Sequence, residues 1–351
     1  LKLTLILINK VFIVRKYIYF LSILTIFFFS SCGKKTTENQ SQNKLMVGLV
    51  FDVGGRGDKS FNDAAYHGLE KAKQELGIDF EYIEPGPGAD REAALRQFAV
   101  RPDVGLVLGI GFIFTDEITK MAQEFPDKKF ACVDYTIDTN RTIPSNLLAL
   151  DYKEGEGSFL VGALAALVTK TNIIGFVGGM DSPQIKKFEK SYEAGAKYVN
   201  PQCKVLIGYA GVTGDAFKNP GKGKELALGQ YSQGADIIFH ASGVTGLGVF
   251  EAARETKKLA IGVDSDQYEE APGYILTSMV KVVDLSVFDC IRSVKEGTFK
   301  GGRTEMYGLK SKGVDYIYND KNKSLIPDEV HKKVEDIRQD IISGKIIVPI
   351  K

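Results

Sequence analysis

Beyond residue 44 the chain alternates between short apolar runs, rich in β-branched residues, and longer stretches whose apolar positions recur every three to four residues. The first kind predicts buried strands and the second predicts helices. Ten strands are expected, at 45–53, 79–83, 104–110, 129–133, 146–150, 172–177, 204–208, 236–241, 259–263 and 274–279. Between them fall helices at 61–76, 89–100, 115–125, 155–170, 183–199, 222–232, 246–256 and 280–296, with a last helix at 327–343 ahead of the apolar run 346–350. Such alternation is the pattern of parallel α/β units. A body of about 300 residues is above the usual size of one core. The pattern also restarts after the polar segment 151–157, so two doubly wound lobes are expected. The 155–170 helix is apolar nearly all round, which predicts a buried helix too short to span a bilayer. Ser60, with Asp63 three residues later, reads as the N-cap of the first helix.

The first 44 residues follow a different rule. Lys2, Lys10, Arg15 and Lys16 precede the apolar run 17–29, and Ser30, Ser31, Cys32 and Gly33 follow it. This is the layout of a secretory signal over residues 1–31. Thirteen residues make a helix of about 20 Å at roughly 1.5 Å per residue, short of the roughly 30 Å hydrocarbon core. Small residues directly before Cys32 resemble the lipobox of bacterial lipoproteins, with Phe29 where leucine is commoner, so Cys32 is expected to carry the lipid. Residues 33–44 contain no apolar side chain, as expected of a tether between lipid and domain, so 32–44 reads as a linker.

Charge excludes some partners. Lys and Arg total 45 against 44 for Asp and Glu, and the four leader bases leave the body with 41 bases against 44 acids. A mildly acidic body has no excess of positive charge to hold nucleic acid. Cys132, Cys203 and Cys290 are far apart with no CxxC spacing, which predicts buried free thiols rather than disulfides or a metal site.

Ligands of open parallel sheets bind beyond the carboxyl ends of the strands. The polar residues there are Asp52, the loop 54–62, Asp134, the loop 209–223, residues 242–246, and Asp264 with Asp266. Catalytic constellations are sparse. His67, His240 and His331 are the three histidines, and there is no HExxH, GxSxG or Gly-x4-Gly-Lys-Ser/Thr sequence. The glycines 243, 246 and 248 do not form GxGxxG and read as turn and close-packing glycines, and His240 at a strand end reads as structural or as bordering a ligand. No cofactor or metal is expected. The carboxylates suit a receptor for a polar ligand, since each accepts hydrogen bonds from hydroxyls or ring N–H groups. They also suit carboxylate-dependent hydrolysis, which stays open as the enzyme alternative.

Five collinear motifs carry a family resemblance: Asp58-Lys59-Ser60-Phe61-Asn62, Glu156-Gly157-Ser158-Phe159-Leu160-Val161-Gly162, Gly243-Val244-Thr245-Gly246-Leu247-Gly248-Val249, Ile261-Gly262-Val263-Asp264-Ser265-Asp266-Gln267-Tyr268, and Leu276-Thr277-Ser278-Met279-Val280-Lys281. Together they resemble the basic membrane protein family, the purine nucleoside receptor lipoproteins that serve ABC transporters. The resemblance runs from residue 45 to the Ile346-Ile347-Val348-Pro349 terminus. It implies a type I periplasmic-binding fold, α/β, with two doubly wound parallel-sheet lobes joined by a hinge. The first lobe is then expected at 45–150, completed by about 276–305, and the second at 151–275, completed by about 306–351. The resemblance further implies Phe61 and Phe217 stacked on a purine, Asp134 and Asn62 on the base edge, Asp52 close by, and Asp264 and Lys281 on the ribose, with Gly243 completing the set. The implied partners are a purine nucleoside, an ABC transporter permease and the membrane through the lipid, for a monomer outside the cytoplasm that is not an enzyme. A sugar-binding or sensory protein of the same fold is the other alternative.

Overall fold

The computed structural model describes residues 44–86, 90–138 and 142–350, so the expected leader and Cys32 lie outside the described residues. Strands β1 (Met46–Val50), β2 (Asp79–Ile83), β3 (Val104–Ile110), β4 (Lys129–Val133), β5 (Leu147–Tyr152) and β11 (Arg303–Tyr307) form one sheet in the order β11-β5-β4-β3-β1-β2. All its ladders are parallel. The second sheet joins β6 (Ile173–Met180), β7 (Lys204–Gly211), β8 (Ile237–Ala241), β9 (Leu259–Asp264), β10 (Ile275–Lys281) and β12 (Val314–Tyr316) in the order β12-β10-β9-β8-β6-β7. There the edge strand β12 runs antiparallel to β10 and the remaining ladders are parallel. The expected α/β class, with two doubly wound lobes, is the class observed.

The buried side chains explain why the strands read as apolar runs rather than as alternating patterns: both faces of each sheet are covered. In the first sheet Val47, Leu49, Leu106 and Leu108 face α1 (Phe61–Leu76) and α8 (Val283–Lys295). Val50, Val104, Val107 and Phe130 face the layer of α2 (Arg91–Ala99) and α3 (Thr115–Glu124). The second sheet repeats the plan. Ile174, Phe176 and Phe239 pack toward α4 (Glu154–Val168), α5 (Pro183–Val199) and α9 (Asp328–Ile342), while Val177, Ile238 and Ala260 pack toward α6 (Pro220–Ser232) and α7 (Thr245–Thr256). Helix α4 is buried along most of its length, as its all-round apolar sequence predicts. Cys132, Cys203 and Cys290 are buried free thiols. Among the described residues no helix is long and apolar enough to cross a membrane.

The chain crosses between lobes three times: from β5 into α4, from β10 into α8, and from β11 into β12. These crossings move the expected boundaries. Strand β10 lies in the second sheet, so the chain returns to the first lobe after Lys281 rather than at residue 276, and leaves it again only after Tyr307 rather than at residue 305. Strands β11 and β12 were not expected from the sequence. The first is an edge strand with Arg303 and Met306 exposed, and the second has three residues, so neither produces an apolar run. The start of α1 also differs from expectation. Ser60 makes no side-chain cap, and the Asp58 carboxylate instead accepts the backbone N–H groups of Ser60, Asn62 and Asp63. A carboxylate at that end satisfies the free donors of the first turn and lies favourably in the helix dipole.

Helices α4 and α5 touch through reciprocal glycines. A Cβ on Gly162 would stand 2.1 Å from the Tyr192 carbonyl oxygen, and one on Gly195 would stand 2.0 Å from that of Phe159. Gly195→Ala is therefore expected to destabilise the protein by about 1–3 kcal/mol through overpacking. Gly229→Ala in α6, where a Cβ meets nothing within 4 Å, is expected to stabilise it by roughly 0.5–1 kcal/mol through helix propensity. Urea unfolding of the two variants reads this difference; equal midpoints would show that the α4–α5 contact is not close-packed.

Candidate functional site

In each sheet the first strand lies between two later ones, β1 between β2 and β3, and β6 between β7 and β8. Helical connections leaving such a switch point in opposite directions open a crevice beyond the strand ends. The two crevices face one another, and one cavity lies between them. Asp52, Phe61, Asn62, Asp134, Phe217, Gly243, Asp264 and Lys281 all line it. The eight expected residues thus come from seven separate loops or strand ends of both lobes. Asp52 follows β1, Phe61 and Asn62 open α1, and Asp134 follows β4; Phe217 lies in the turn after β7, Gly243 follows β8, and Asp264 and Lys281 end β9 and β10.

Two of the carboxylates occupy unusual backbone. Asp134 has φ 57° and Asp264 has φ 64°. A left-handed conformation costs a residue with a Cβ roughly 1–2 kcal/mol, least for Asn and Asp. Each strand therefore turns sharply as it leaves its sheet and aims a carboxylate at the opposite lobe. Lys281 meets both: its Nζ lies 2.8 Å from Asp134 Oδ2 and 3.6 Å from Asp264 Oδ1, and 4.5 Å above the Phe61 ring centroid. Burial works against the Lys281 charge, but Asp134, Asp264 and Glu154 overcome it and hold the ammonium above its ordinary range. Asp134 Oδ1 and Asp264 Oδ1 are buried and accept no hydrogen bond.

The other acids are handled differently. Asp58, in the cavity wall, accepts three backbone N–H groups and the Asn62 Nδ2 amide at 3.0 Å. Asn62 Oδ1 in turn accepts the Asp52 backbone N–H at 3.1 Å, which ties α1 to the end of β1. Burial raises Asp58 to about 6 against those N–H groups. Burial also raises Asp52 to about 7, opposed by the Val53 N–H and reinforced by Asp58 and Asp134. Its carboxylate occupies the space beside Gly111, where a Cβ would come within 2.9 Å of Oδ2. Asp264 is raised by burial and lowered by Lys281, with a net shift upward.

The lobes touch across the cavity. Ser60 Oγ, from the first lobe, lies 3.0 Å from both the Val263 carbonyl and Asp264 Oδ2, and its one proton serves either. Phe112, just past β3, meets Phe217 edge to face at 6.4 Å. Phe217 packs closely on β6 because Gly179 has no Cβ; one would stand 2.4 Å from the ring. Phe112, Phe188 and Gln184 also line the cavity and are not among the residues singled out from the sequence, whereas Ser242, which lines it too, opens the strand-end segment 242–246 that was. Phe112 and Gln184 sit just past β3 and β6, the same position that singled out the carboxylates, so the strand-end rule applied to uncharged residues finds them. Gln184 Nε2 donates to Glu154 Oε1 at 2.9 Å, and burial raises Glu154 to about 7 against the pull of Lys187.

His240 does not line the cavity. It is fully buried behind Ser242, and Gly246 packs on its ring, 2.1 Å from where a Cβ would be. Gly248 packs likewise on the Pro220 carbonyl, so these two glycines serve close packing while Gly243 turns the chain at φ 55°. No group of three or more His, Cys, Asp or Glu among the described residues is arranged to hold a metal.

Two doubly wound lobes, three crossings and a shared cavity at their facing switch points define a type I periplasmic-binding protein. The chain belongs to the family of ABC transporter substrate-binding proteins described as PnrA-like, which matches residues 45–351. It is 38% identical over 343 residues to the CD4+ T-cell-stimulating antigen of Listeria innocua, covering 92% of this chain and 93% of that one. It is 37% identical over 330 residues to basic membrane protein A1 of Borrelia garinii, covering 92% and 93%. An uncharacterised lipoprotein of Pyrococcus abyssi is 35% identical over 349 residues, covering 92% and 84%. Among solved structures, an ABC transporter solute-binding protein of Aeropyrum pernix superposes with a TM-score of 0.79 at 28% identity, over 87% of this chain and 94% of that one.

The raised acids carry a pH dependence. Asp52 titrates at about 7 when folded and near 3.8 when unfolded, so between those values the folded chain holds a proton that the unfolded chain has lost. Stability of the ligand-free protein therefore falls as pH rises through that window, and the loss is complete above it. Asp52→Asn keeps the oxygen that accepts the Val53 N–H and removes the titration. The variant is expected to melt a few degrees higher than the parent at pH 8 and at nearly the same temperature at pH 4.5. A gain of the same size at both pH values would contradict the buried, proton-binding state of Asp52.

Proposed function

We propose that the cavity holds a purine nucleoside, that the chain is anchored to the outer face of the cell membrane by a lipid on Cys32, and that it delivers the nucleoside as a monomer to an ABC importer. The observation that carries this reading is the pairing of aromatic rings from opposite lobes, Phe61 and Phe217, with buried oxygens of Asp134 and Asp264 that accept no hydrogen bond, around one cavity. Flat aromatic walls suit a base, and stacking contributes about 1–3 kcal/mol per base. Orphaned carboxylate oxygens suit ligand hydroxyl and N–H groups, since a buried acceptor left unpaired costs roughly 1–3 kcal/mol. Asp264 and Lys281 are assigned to the ribose, and Asp134, Asn62 and Asp52 to the base edge. The PnrA-like family and the lipoprotein of Pyrococcus abyssi support the ligand class and the anchor respectively. A ligand gripped from both lobes prefers the closed arrangement, so binding shifts the hinge toward it.

Calorimetry on refolded, ligand-free protein with purine nucleosides, pyrimidine nucleosides, free bases and ribose tests this. The expected result is binding at micromolar or tighter dissociation constants, about −8 kcal/mol, confined to purine nucleosides. Tight binding of ribose alone would overturn the ligand in favour of a sugar, and release of free adenine from adenosine would overturn the receptor in favour of a hydrolase. Phe61→Ala is expected to weaken nucleoside binding by about 1–3 kcal/mol; unchanged affinity would remove the stacking role.

A further inference from the structure

On the second-lobe side the cavity wall carries a hydroxyl whose direction is set from behind. Gln267 Oε1 accepts the Val263 backbone N–H at 2.8 Å, so the oxygen of that amide, and not its nitrogen, occupies this end of the side chain. The same oxygen lies 3.1 Å from His240 Nε2. An acceptor facing Nε2 places the ring proton there and leaves a lone pair on Nδ1. Burial pushes His240 down to about 4, so the ring is neutral at physiological pH and has a single N–H to give. The ring also packs against Phe250 in a T-shaped arrangement, with centroids 4.9 Å apart. The opposite tautomer would need the Gln267 amide reversed, which would bring its NH2 group against the Val263 N–H and strip a buried backbone donor of its partner.

Ser242 Oγ lies 3.3 Å from Nδ1. Facing a lone pair, the hydroxyl gives its proton to the ring and keeps both of its own lone pairs for the cavity that Ser242 lines. A hydroxyl that ordinarily rotates to suit any neighbour is here an acceptor. Gln184 adds to the same wall: its Nε2 is engaged by Glu154, which leaves Oε1 as the free end of the amide. With the orphaned oxygens of Asp134 and Asp264, the polar surface around the ligand is rich in acceptors.

We propose that Ser242 is a specificity-determining residue of this cavity, held by His240 as an obligate acceptor, so that the second lobe selects a ligand bearing an O–H or N–H at that point. His240 is then a positioning residue. The inference rests on the nucleoside reading and extends it by naming which property of the nucleoside is read there. A site built to accept a hydrogen bond rejects the analogue that lacks the donor, because the buried acceptor is then left unpaired.

Two measurements on the chain from Leu45 onward, which contains both sheets and their cores, test it. Imidazole nitrogen NMR at neutral pH is expected to show His240 protonated at Nε2 and bare at Nδ1; a proton on Nδ1 overturns the proposal whatever the ligand. Calorimetry then compares inosine with its 1-methyl, 2′-deoxy, 3′-deoxy and 5′-deoxy analogues on the parent and on Ser242→Ala. The parent is expected to lose roughly tenfold or more for one analogue, and Ser242→Ala is expected to bind that analogue and inosine about equally. If every analogue keeps its penalty in Ser242→Ala, the proposal is overturned while the nucleoside reading stands. If the parent binds no nucleoside at all, the ligand reading falls and this inference with it.

Discussion

A single buried ammonium holds the cavity together. Lys281 is the one cation among the described residues that line it, and it stands against Asp134 from the first lobe and Asp264 from its own. Removing such charges from water costs several kcal/mol per ion, which close approach and further hydrogen bonds must offset. The arrangement persists because Lys281 sits where few residues have a choice of position. It ends β10, the strand bound to β9 on one side and β12 on the other, and two residues later the chain has crossed into α8 of the first lobe. The residue that pairs with Asp134 and Asp264 is therefore also at the hinge. The contact between Lys281 and Asp134 joins the two lobes across the cavity.

Four carboxylates line a space with that one cation, and the structure accommodates the excess in three ways. Backbone N–H groups absorb the charge of Asp58 at the start of α1. Lys281 compensates Asp134 and Asp264. Asp52 has one backbone N–H and no cation in contact, and burial raises it to about 7. These solutions also divide labour. The saturated Asp58 fixes Asn62 and so the angle of Phe61, whereas one oxygen each of Asp134 and Asp264 accepts no hydrogen bond. Both of those residues pay for their direction with left-handed backbone, at equivalent strand ends of two lobes built to the same plan. Strain of this kind is retained where function requires a side chain aimed against its local preference.

Much of this was legible in the chain itself. The strands inside the two sheets, buried on both faces, appear as apolar runs, and their carboxyl ends point to Asp52, Asp134 and Asp264 because ligands of parallel sheets bind beyond that edge. The motif around Phe61 and Asn62, and the one ending in Lys281, add the aromatic and the cation. What escaped were features whose local signal is weak or misleading. Strand β11 is a half-exposed edge strand and β12 is an edge strand of three residues, so no apolar run marks them. Ser60 has the look of a helix cap, yet its hydroxyl turns to the opposite lobe and Asp58, two residues earlier, caps instead. His240 ends a strand like the site residues, but its ring points behind the wall rather than into the cavity.

The sequence by itself determined the helices and the strands other than β11 and β12, that there are two lobes, and which charged and aromatic residues stand at strand ends, because these follow from local periodicity and from the geometry of parallel sheets. Only the tertiary structure decided that these positions, from segments as far apart in the chain as Asp52 and Lys281, close on a single space. It also decided which carboxylate is paired, which is saturated and which is left open, and that a buried histidine sets the direction of a serine hydroxyl. Those outcomes depend on burial and on distances between residues far apart in the chain, and neither is written in any one stretch of it.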